Sequence, residues 1–207
     1  MYRLFPPRHL LTLGLFLLAL AGCASTPPTQ FYVLPSLAGS DTAPLSAADN
    51  RDLTIGVGPV TLPPYLDRPQ IVTNASRAKL TLAEFDQCAA PLHAIFSRAL
   101  AENLALLIPT DRVLLHPWPR STEVNYQVVV EVTRFDGPAT GAAVLTARWS
   151  ILDANGKELA MRKSSLNAAA GRQDYEAMVT AMSRTLEGLS RDIATTLLIV
   201  AQKASAR

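Results

Sequence analysis

Residues 126–135 have the sequence Tyr-Gln-Val-Val-Val-Glu-Val-Thr-Arg-Phe, in which apolar side chains occupy alternate positions. Tyr126, Val128, Val130 and Val132 would lie on one face of an extended chain, with polar side chains mainly on the other. Successive strand residues point to opposite faces, so this alternation predicts a β-strand that is buried on one side only. The apolar face of such a sheet must be covered by a second layer.

Further strands are predicted on both sides of this segment. Leu145 to Ile151 alternates in the same way, and Asn155-Gly156 predicts a hairpin into a strand from Glu158 to Leu166. A type I′ turn is expected there, because that turn needs positive φ at both of its central residues. Shorter strands are expected earlier in the chain, at Phe31–Leu34, Leu53–Val60, Gln70–Thr73, Lys79–Leu82 and Val113–His116.

Two amphipathic helices are predicted to supply the covering layer. The first spans Leu92 to Leu107, where apolar residues recur at steps of three and four, with Pro91 in its first turn. The second begins at about Asp174, a good N-cap residue, and its apolar stripe reaches Leu197. The order of elements predicts a single α/β domain in which two long helices pack on a mixed, twisted sheet.

The N-terminus has the three parts of a bacterial lipoprotein signal peptide. Basic residues precede an uncharged run from Leu10 to Leu20, and Leu-Ala-Gly-Cys at residues 20–23 matches the lipobox. At about 1.5 Å per residue, this run covers roughly half of a hydrocarbon core of about 30 Å. An ordinary secretory signal or a short buried helix is the alternative. We predict a signal peptide at residues 1–22 and a lipidated tether at residues 23–30, with acyl chains such as palmitate on Cys23.

Charge and cysteine content limit the classes of function. The chain has 19 Lys+Arg and 17 Asp+Glu, and Arg3 and Arg8 leave with the signal peptide, so 17 basic residues face 17 acidic ones. A neutral mature protein has no electrostatic attraction for nucleic acid. With Cys23 lipidated, Cys88 cannot form an intrachain disulfide. We interpret Cys88 as a small buried hydrophobe, with a reactive thiol as the alternative.

Patterns typical of catalysis or ligand binding are missing from the sequence. His93 and His116 lie outside any HExxH, HxxxH or CxxC pattern, and no serine stands in a GxSxG motif. Gly56 and Gly58 are followed by Pro59 rather than by a helix, which indicates a close approach to a strand and not a nucleotide-binding loop. We therefore expect a protein that is not an enzyme and holds no metal or cofactor.

The segment Pro63-Pro64-Tyr65-Leu66-Asp67-Arg68-Pro69 is the most unusual part of the mature chain. Three prolines in seven residues fix the backbone, so an ordered loop is predicted. One interpretation is structural: Tyr65 and Leu66 cover the edge of the core, and Asp67 pairs with Arg68. The other is a rigid contact surface for a partner, because Tyr and Arg are frequent interface anchors. The residues leave both interpretations open.

At this loop the chain resembles a known family. Residues 55–72, Ile-Gly-Val-Gly-Pro-Val-Thr-Leu-Pro-Pro-Tyr-Leu-Asp-Arg-Pro-Gln-Ile-Val, and Ala-Glu-Phe-Asp at 83–86 resemble PqiC-type (YmbA-like) lipoproteins, auxiliary subunits of ABC/MCE transport systems. The similarity continues to residues 189–194, so a PqiC-like domain is expected over residues 31–203. Cys88 departs from this family, in which we expect tryptophan.

The resemblance implies a fold similar to anticodon-binding-like and TolB N-terminal domains. It also implies an outer-membrane lipoprotein of a Gram-negative bacterium, facing the periplasm, that docks an MCE-domain tunnel protein for phospholipid transport and forms a homo-oligomeric ring. Ala24 agrees with this location, since aspartate after the lipidated cysteine is the usual inner-membrane retention signal. A structural or assembly lipoprotein without a transporter partner is the second hypothesis, and a periplasmic hydrolase is the third.

Overall fold

The computed structural model describes residues 26–37, 43–45, 52–76, 78–138, 141–172 and 174–205. The predicted signal peptide and Cys23 lie outside these residues. In the described part the chain forms eight strands and two helices. They are, in chain order, β1 (Gln30–Tyr32), β2 (Ile55–Thr61), β3 (Gln70–Ser76), β4 (Lys79–Cys88), α1 (Leu92–Leu107), β5 (Val113–Leu115), β6 (Tyr126–Asp136), β7 (Ala142–Asp153), β8 (Glu158–Ala169) and α2 (Tyr175–Ser205).

The larger of two sheets has five strands in the order β5-β2-β6-β7-β8. Strand β2 runs parallel to β5 and β6, whereas β6, β7 and β8 are antiparallel neighbours, so the sheet is mixed as predicted. The alternation predicted for residues 126–135 is confirmed: Val128, Val130 and Val132 are at most 3% exposed, while Glu131 and Thr133 are exposed. One face of this sheet therefore forms the core.

Both helices cover the buried face. Helix α1 packs on β2 and β5, α2 packs on β7 and β8, and the two helices contact each other. The rings of Phe96 on α1 and Phe135 on β6 meet edge to face, with centroids 5.2 Å apart. The predicted N-cap is confirmed, because the Asp174 carboxylate accepts a 2.7 Å hydrogen bond from the Ala177 N–H. The predicted α/β class with two long helices is thus confirmed.

The remaining strands form a three-stranded sheet in the order β1-β4-β3. Strands β3 and β4 make the antiparallel hairpin that the sequence predicts around residues 74–77. Strand β4 extends to Cys88, well beyond its predicted end at Leu82, because its second half pairs in parallel with β1. Because the paired segments are so far apart in sequence, no local pattern predicts that they meet. The strands therefore form two sheets, whereas the sequence predicted one.

The hairpin between β7 and β8 is confirmed, but its turn is not type I′. Gly156 has a φ of 78°, and among the described residues no residue other than glycine has positive φ, so Asn155 does not. The Asp153 carboxylate explains the difference, because it accepts hydrogen bonds from the N–H groups of Asn155 (2.9 Å) and Lys157 (3.0 Å). These bonds hold Asn155 in an ordinary conformation, and Gly156 alone supplies the left-handed residue.

The close approach predicted at Gly56 and Gly58 is confirmed and comes from two side chains. A Cβ on Gly56 would lie 2.5 Å from the Trp118 indole, and one on Gly58, at a φ of 118°, would lie 2.7 Å from His116 Cβ. The rings of His116 and Trp118 also pack edge to face, 5.5 Å apart. The two glycines thus make room for the chain that follows β5, and not for a nucleotide.

Candidate partner-contact site

The loop from Pro63 to Pro69 is held at both ends by backbone hydrogen bonds. Leu66 N–H donates to the Pro63 carbonyl oxygen (2.9 Å), and the Pro69 carbonyl oxygen accepts from Cys88 N–H at the end of β4 (2.7 Å). The Leu66 side chain is 2% exposed and joins the core. The prediction of an ordered loop is confirmed. Leu66 anchors the loop to the core, as the structural interpretation expects.

Tyr65 fixes the loop to a buried carboxylate at the end of β6. Its hydroxyl donates to Asp136 Oδ2 (3.1 Å), and Asp136 is 3% exposed. The other carboxylate oxygen accepts from Arg134 Nε (2.8 Å) and from the Asn74 side-chain amide. Burial, and after it the neighbouring Asp136, raises the pKa of Tyr65. This network supports a bracing role for Tyr65 rather than the role of a free anchor.

Asp67 does not pair with Arg68 as the structural interpretation expected. Its Oδ1 atom lies 3.0 Å from Nδ1 of His93 in the first turn of α1. Both side chains are about half exposed, so this contact contributes little to stability. It nevertheless ties the tip of the loop to α1, which is a connection between residues that are distant in sequence.

Arg68 is left without a partner. In the described part of the chain its side chain makes no hydrogen bond or salt bridge, and its Nε atom is buried. A buried donor that is left unsatisfied costs about 1–3 kcal/mol, and such groups are rare in native proteins. Nε is the one nitrogen of the Arg68 side chain that is both buried and without a partner, so the other two are open to a ligand.

A groove of about 340 Å³ lies beside Arg68, lined by Asp67, Arg68, Pro69, Cys88, Ala89, Ala90, Pro91 and His93. Helix α1 begins at this groove, with no side-chain hydrogen bond at its N-cap and no acidic residue in its first turn. The partial positive charge of a helix N-terminus therefore adds to that of Arg68, against the single carboxylate of Asp67. Small side chains leave the groove open, and its charge suits an anionic group.

Cys88 separates this groove from an apolar cavity in the core. The cavity measures about 20 Å³, which is space for about one water, so it has no room for a lipid chain. Burial raises the pKa of the Cys88 thiol, which keeps it protonated and unreactive near neutral pH. Cys88 is thus a partly buried side chain packed against the core, which agrees with a hydrophobic role more than with a reactive thiol.

Among the described residues, no three His, Cys, Asp or Glu side chains come together as metal ligands would. None of the described helices is both long and apolar enough to cross a membrane. The loop presents an arginine beside an open groove, on a backbone that prolines and the contact of Tyr65 with a buried carboxylate hold in place.

Sequence reasoning found the loop but missed two of the residues that shape it. No sequence motif marks Asp136, although it directly follows the alternating segment 126–135. The sequence shows His93 only as a histidine outside any metal-binding pattern. Their partners, Tyr65 and Asp67, are more than twenty residues away in sequence, and no local pattern connects them.

The sequence is similar to that of known transport lipoproteins. Residues 32–194 match the model of a family described as the ABC-type transport auxiliary lipoprotein component. The chain is 27% identical over 164 residues to the intermembrane transport lipoprotein PqiC of Escherichia coli K12, which covers 79% of this chain and 84% of that protein. PqiC of Shigella flexneri gives the same identity and coverage.

Two crystal structures share the fold. A protein from Xanthomonas campestris has a TM-score of 0.72 at 15% identity, over 86% of this chain and all of that one. An uncharacterized protein has a TM-score of 0.67 at 22% identity, over 83% of this chain and 99% of that one. At these identities the likeness concerns the fold alone.

Proposed function

Since this chain belongs to the ABC-type transport auxiliary lipoprotein family, we propose that it docks an ABC/MCE-type system that transports phospholipid between two membranes. The protein is held on the periplasmic face of the outer membrane by acyl chains on Cys23. It forms a homo-oligomeric ring against an MCE-domain tunnel protein and supports envelope integrity without catalysis. Its role is to position the partner at the membrane.

The observation that carries this proposal is the extent of the family match. Residues 32–194 run from the last residue of β1 into α2, so the likeness covers most of the folded unit rather than one motif. The PqiC relatives are named intermembrane transport lipoproteins, and the lipobox at residues 20–23 agrees with that name. Ala24 supports the outer membrane as the destination.

The unpaired Arg68 is the residue that we propose for contact with the partner. Its loop is rigid before binding, so little conformational entropy is lost when the contact forms. A carboxylate of the partner placed in the groove would accept charge-assisted hydrogen bonds from the Arg68 guanidinium that lines it. Pro64, Asp67 and Pro69 are exposed around it and would form the rim of the contact.

Co-purification of the full-length lipoprotein with the MCE-domain protein after mild crosslinking tests the function. Arg68→Ala should weaken the complex by about tenfold or more, as expected for a central anchor. Arg162→Ala is the matched control, because Arg162 is an exposed arginine on β8, away from the loop. It should leave the recovery of the partner unchanged.

Two results would contradict different parts of the proposal. If the wild-type protein recovers no MCE-domain partner, the docking function is wrong. If Arg68→Ala and wild type recover it equally, the function stands but the contact site lies elsewhere. Sedimentation of the detergent-solubilised lipoprotein tests the ring separately, and a monomer at all concentrations would contradict it.

A further inference from the structure

Two exposed apolar side chains lie at the start of the folded domain. Phe31 is 65% exposed and Val33 is 59% exposed, the highest values among the large apolar residues that the structure describes. Between them Tyr32 points inward, where its hydroxyl donates to Asp86 Oδ1 (2.8 Å), and Leu34 after them is 8% exposed. Exposure thus alternates from Phe31 to Leu34, and the alternation continues past Tyr32, where β1 ends.

The position of these two residues in the chain limits what can cover them. Phe31 follows Cys23 by eight residues, a length that reaches about 28 Å when fully extended and roughly 16 Å as a flexible coil. A domain with acyl chains on Cys23 therefore keeps Phe31 within about the thickness of one leaflet from the membrane surface. The bilayer is the one apolar surface that the chain itself holds within reach of this strand.

The charge pattern fits the same surface. No charged residue occurs from Ala24 to Ser40, and the first is Asp41. A segment without charges can approach the boundary between headgroups and hydrocarbon without the cost of desolvating an ion. Phe31 also pairs with Gln87 of β4, so its neighbour across the strands is uncharged as well.

We propose that Phe31 and Val33 enter the interface of the membrane that holds the acyl chains of Cys23, so that the domain rests against the bilayer through β1. This inference depends on the proposed lipidation but not on transporter docking. It gives the domain a fixed orientation, which acyl chains on Cys23 would not do by themselves. The Arg68 groove would then open close to the membrane surface, because its lining residue Ala89 donates its N–H to the Tyr32 carbonyl oxygen (2.8 Å).

The test places a fluorescent probe on β1 of the full-length mature lipoprotein. Phe31→Trp is reconstituted into vesicles of phosphatidylethanolamine and phosphatidylglycerol that contain a phosphatidylcholine brominated near the headgroup end of its acyl chains. Bromine quenches a nearby indole, so we expect about a twofold loss of the added emission for a side chain roughly 5–10 Å into the boundary region. Spectra of the wild type give the background from Trp118 and Trp149.

Met161→Trp is the matched control, because Met161 is 55% exposed on the distant strand β8. Its added emission should not change with brominated lipid. Phe31→Ser/Val33→Ser should abolish the orientation without releasing the lipoprotein from the vesicles.

Flotation of the vesicles separates the possible failures. If Phe31→Trp floats with the vesicles but is not quenched, the anchor is correct and the membrane-facing role of β1 is wrong. If no variant floats, lipidation itself is wrong and this inference fails with it. If the emission shifts to shorter wavelength with protein concentration and without lipid, a second copy covers β1, and the proposal is overturned. Loss of the MCE-domain partner in crosslinking would affect the docking function alone.

Discussion

The five-stranded and three-stranded sheets of this domain are built in different ways. In the larger sheet β6, β7 and β8 follow one another through short connections and pair over almost their full lengths. In the smaller sheet β1 has three residues and pairs with a part of β4 that lies more than fifty residues away. The larger sheet buries one face under two helices, while the smaller one carries the proline loop, the groove and the exposed Phe31 and Val33.

We infer that the larger sheet supplies most of the stability of the domain and that the smaller sheet supplies its contact surface. Local pairings lose little chain entropy on closing, and a fully buried apolar face gives the largest hydrophobic gain. A short parallel strand paired across a long loop has neither advantage and belongs to the less stable part of a fold. We expect the larger sheet to resist unfolding and the smaller sheet to tolerate surface variation, which suits a contact surface.

The largest effect is expected in the centre of the larger sheet. Leu145 on β7 is fully buried, so Leu145→Ala should lower the free energy of unfolding by about 2–5 kcal/mol through lost burial and a residual cavity. The comparison is Val72→Ala on β3, a residue that is 6% exposed, where about 1–2 kcal/mol is expected. Urea titrations followed by circular dichroism measure both. If Val72→Ala lowered the free energy of unfolding as much as Leu145→Ala or more, the larger sheet would not be the more stable one.

A smaller effect is expected where the loop joins the larger sheet. Asp136→Asn removes the charge from a buried carboxylate that accepts from Tyr65, Asn74 and Arg134, and should lower stability by about 2–3 kcal/mol. Asp67→Asn on the exposed side of the same loop is the control and should change stability by less than about 0.5 kcal/mol. Similar losses in the two variants would mean that Asp136 does not brace the loop.

Tyr32 gives the smaller sheet a dependence on alkaline pH. Burial first, and then the hydrogen bond to Asp86, raises the pKa of Tyr32 to about 12, from 10.0 in the unfolded chain. Folding therefore favours the protonated phenol. Its contribution to the free energy of unfolding is complete below pH 10 and is lost as the pH rises toward 12. Tyr32→Phe should cost about 1 kcal/mol near neutral pH.

Urea titrations of wild type and Tyr32→Phe at successive pH values measure this effect. The difference in stability between them should shrink between pH 10 and pH 12. A constant difference over that range would show that the Asp86 contact does not hold the proton on Tyr32.

The smallest effect on stability is expected at the proposed contact residue. Arg68→Ala removes a buried donor without a partner, so the free energy of unfolding should stay within about 0.5 kcal/mol of the wild type or rise slightly. Thermal unfolding of the isolated lipoprotein checks this. A large fall in melting temperature would show that Arg68 stabilises the fold. Weaker partner binding by Arg68→Ala could then result from unfolding and would not show a direct contact.

The sequence by itself determined most of the strands, both helices and the loop. Alternation in residues 126–135, the three-and-four spacing of α1 and the Asp174 cap are local signals, since each depends on the direction of side chains a few residues apart. The same holds for the prolines at 63, 64 and 69, which fix the backbone wherever they occur. The lipobox is also a local signal, and the role of Cys23 stays a prediction.

Only the tertiary structure decided how these parts meet. The pairing of β1 with β4, the contact of Tyr65 with Asp136 and the unpaired state of Arg68 depend on segments that are distant in the chain. The Asp153 carboxylate likewise decided the conformation of Asn155, against the preference of the Asn-Gly pair. The preference of a residue for one backbone conformation amounts to about 1 kcal/mol. A tertiary hydrogen bond is worth about as much, so one or two such contacts can reverse that preference in the folded chain.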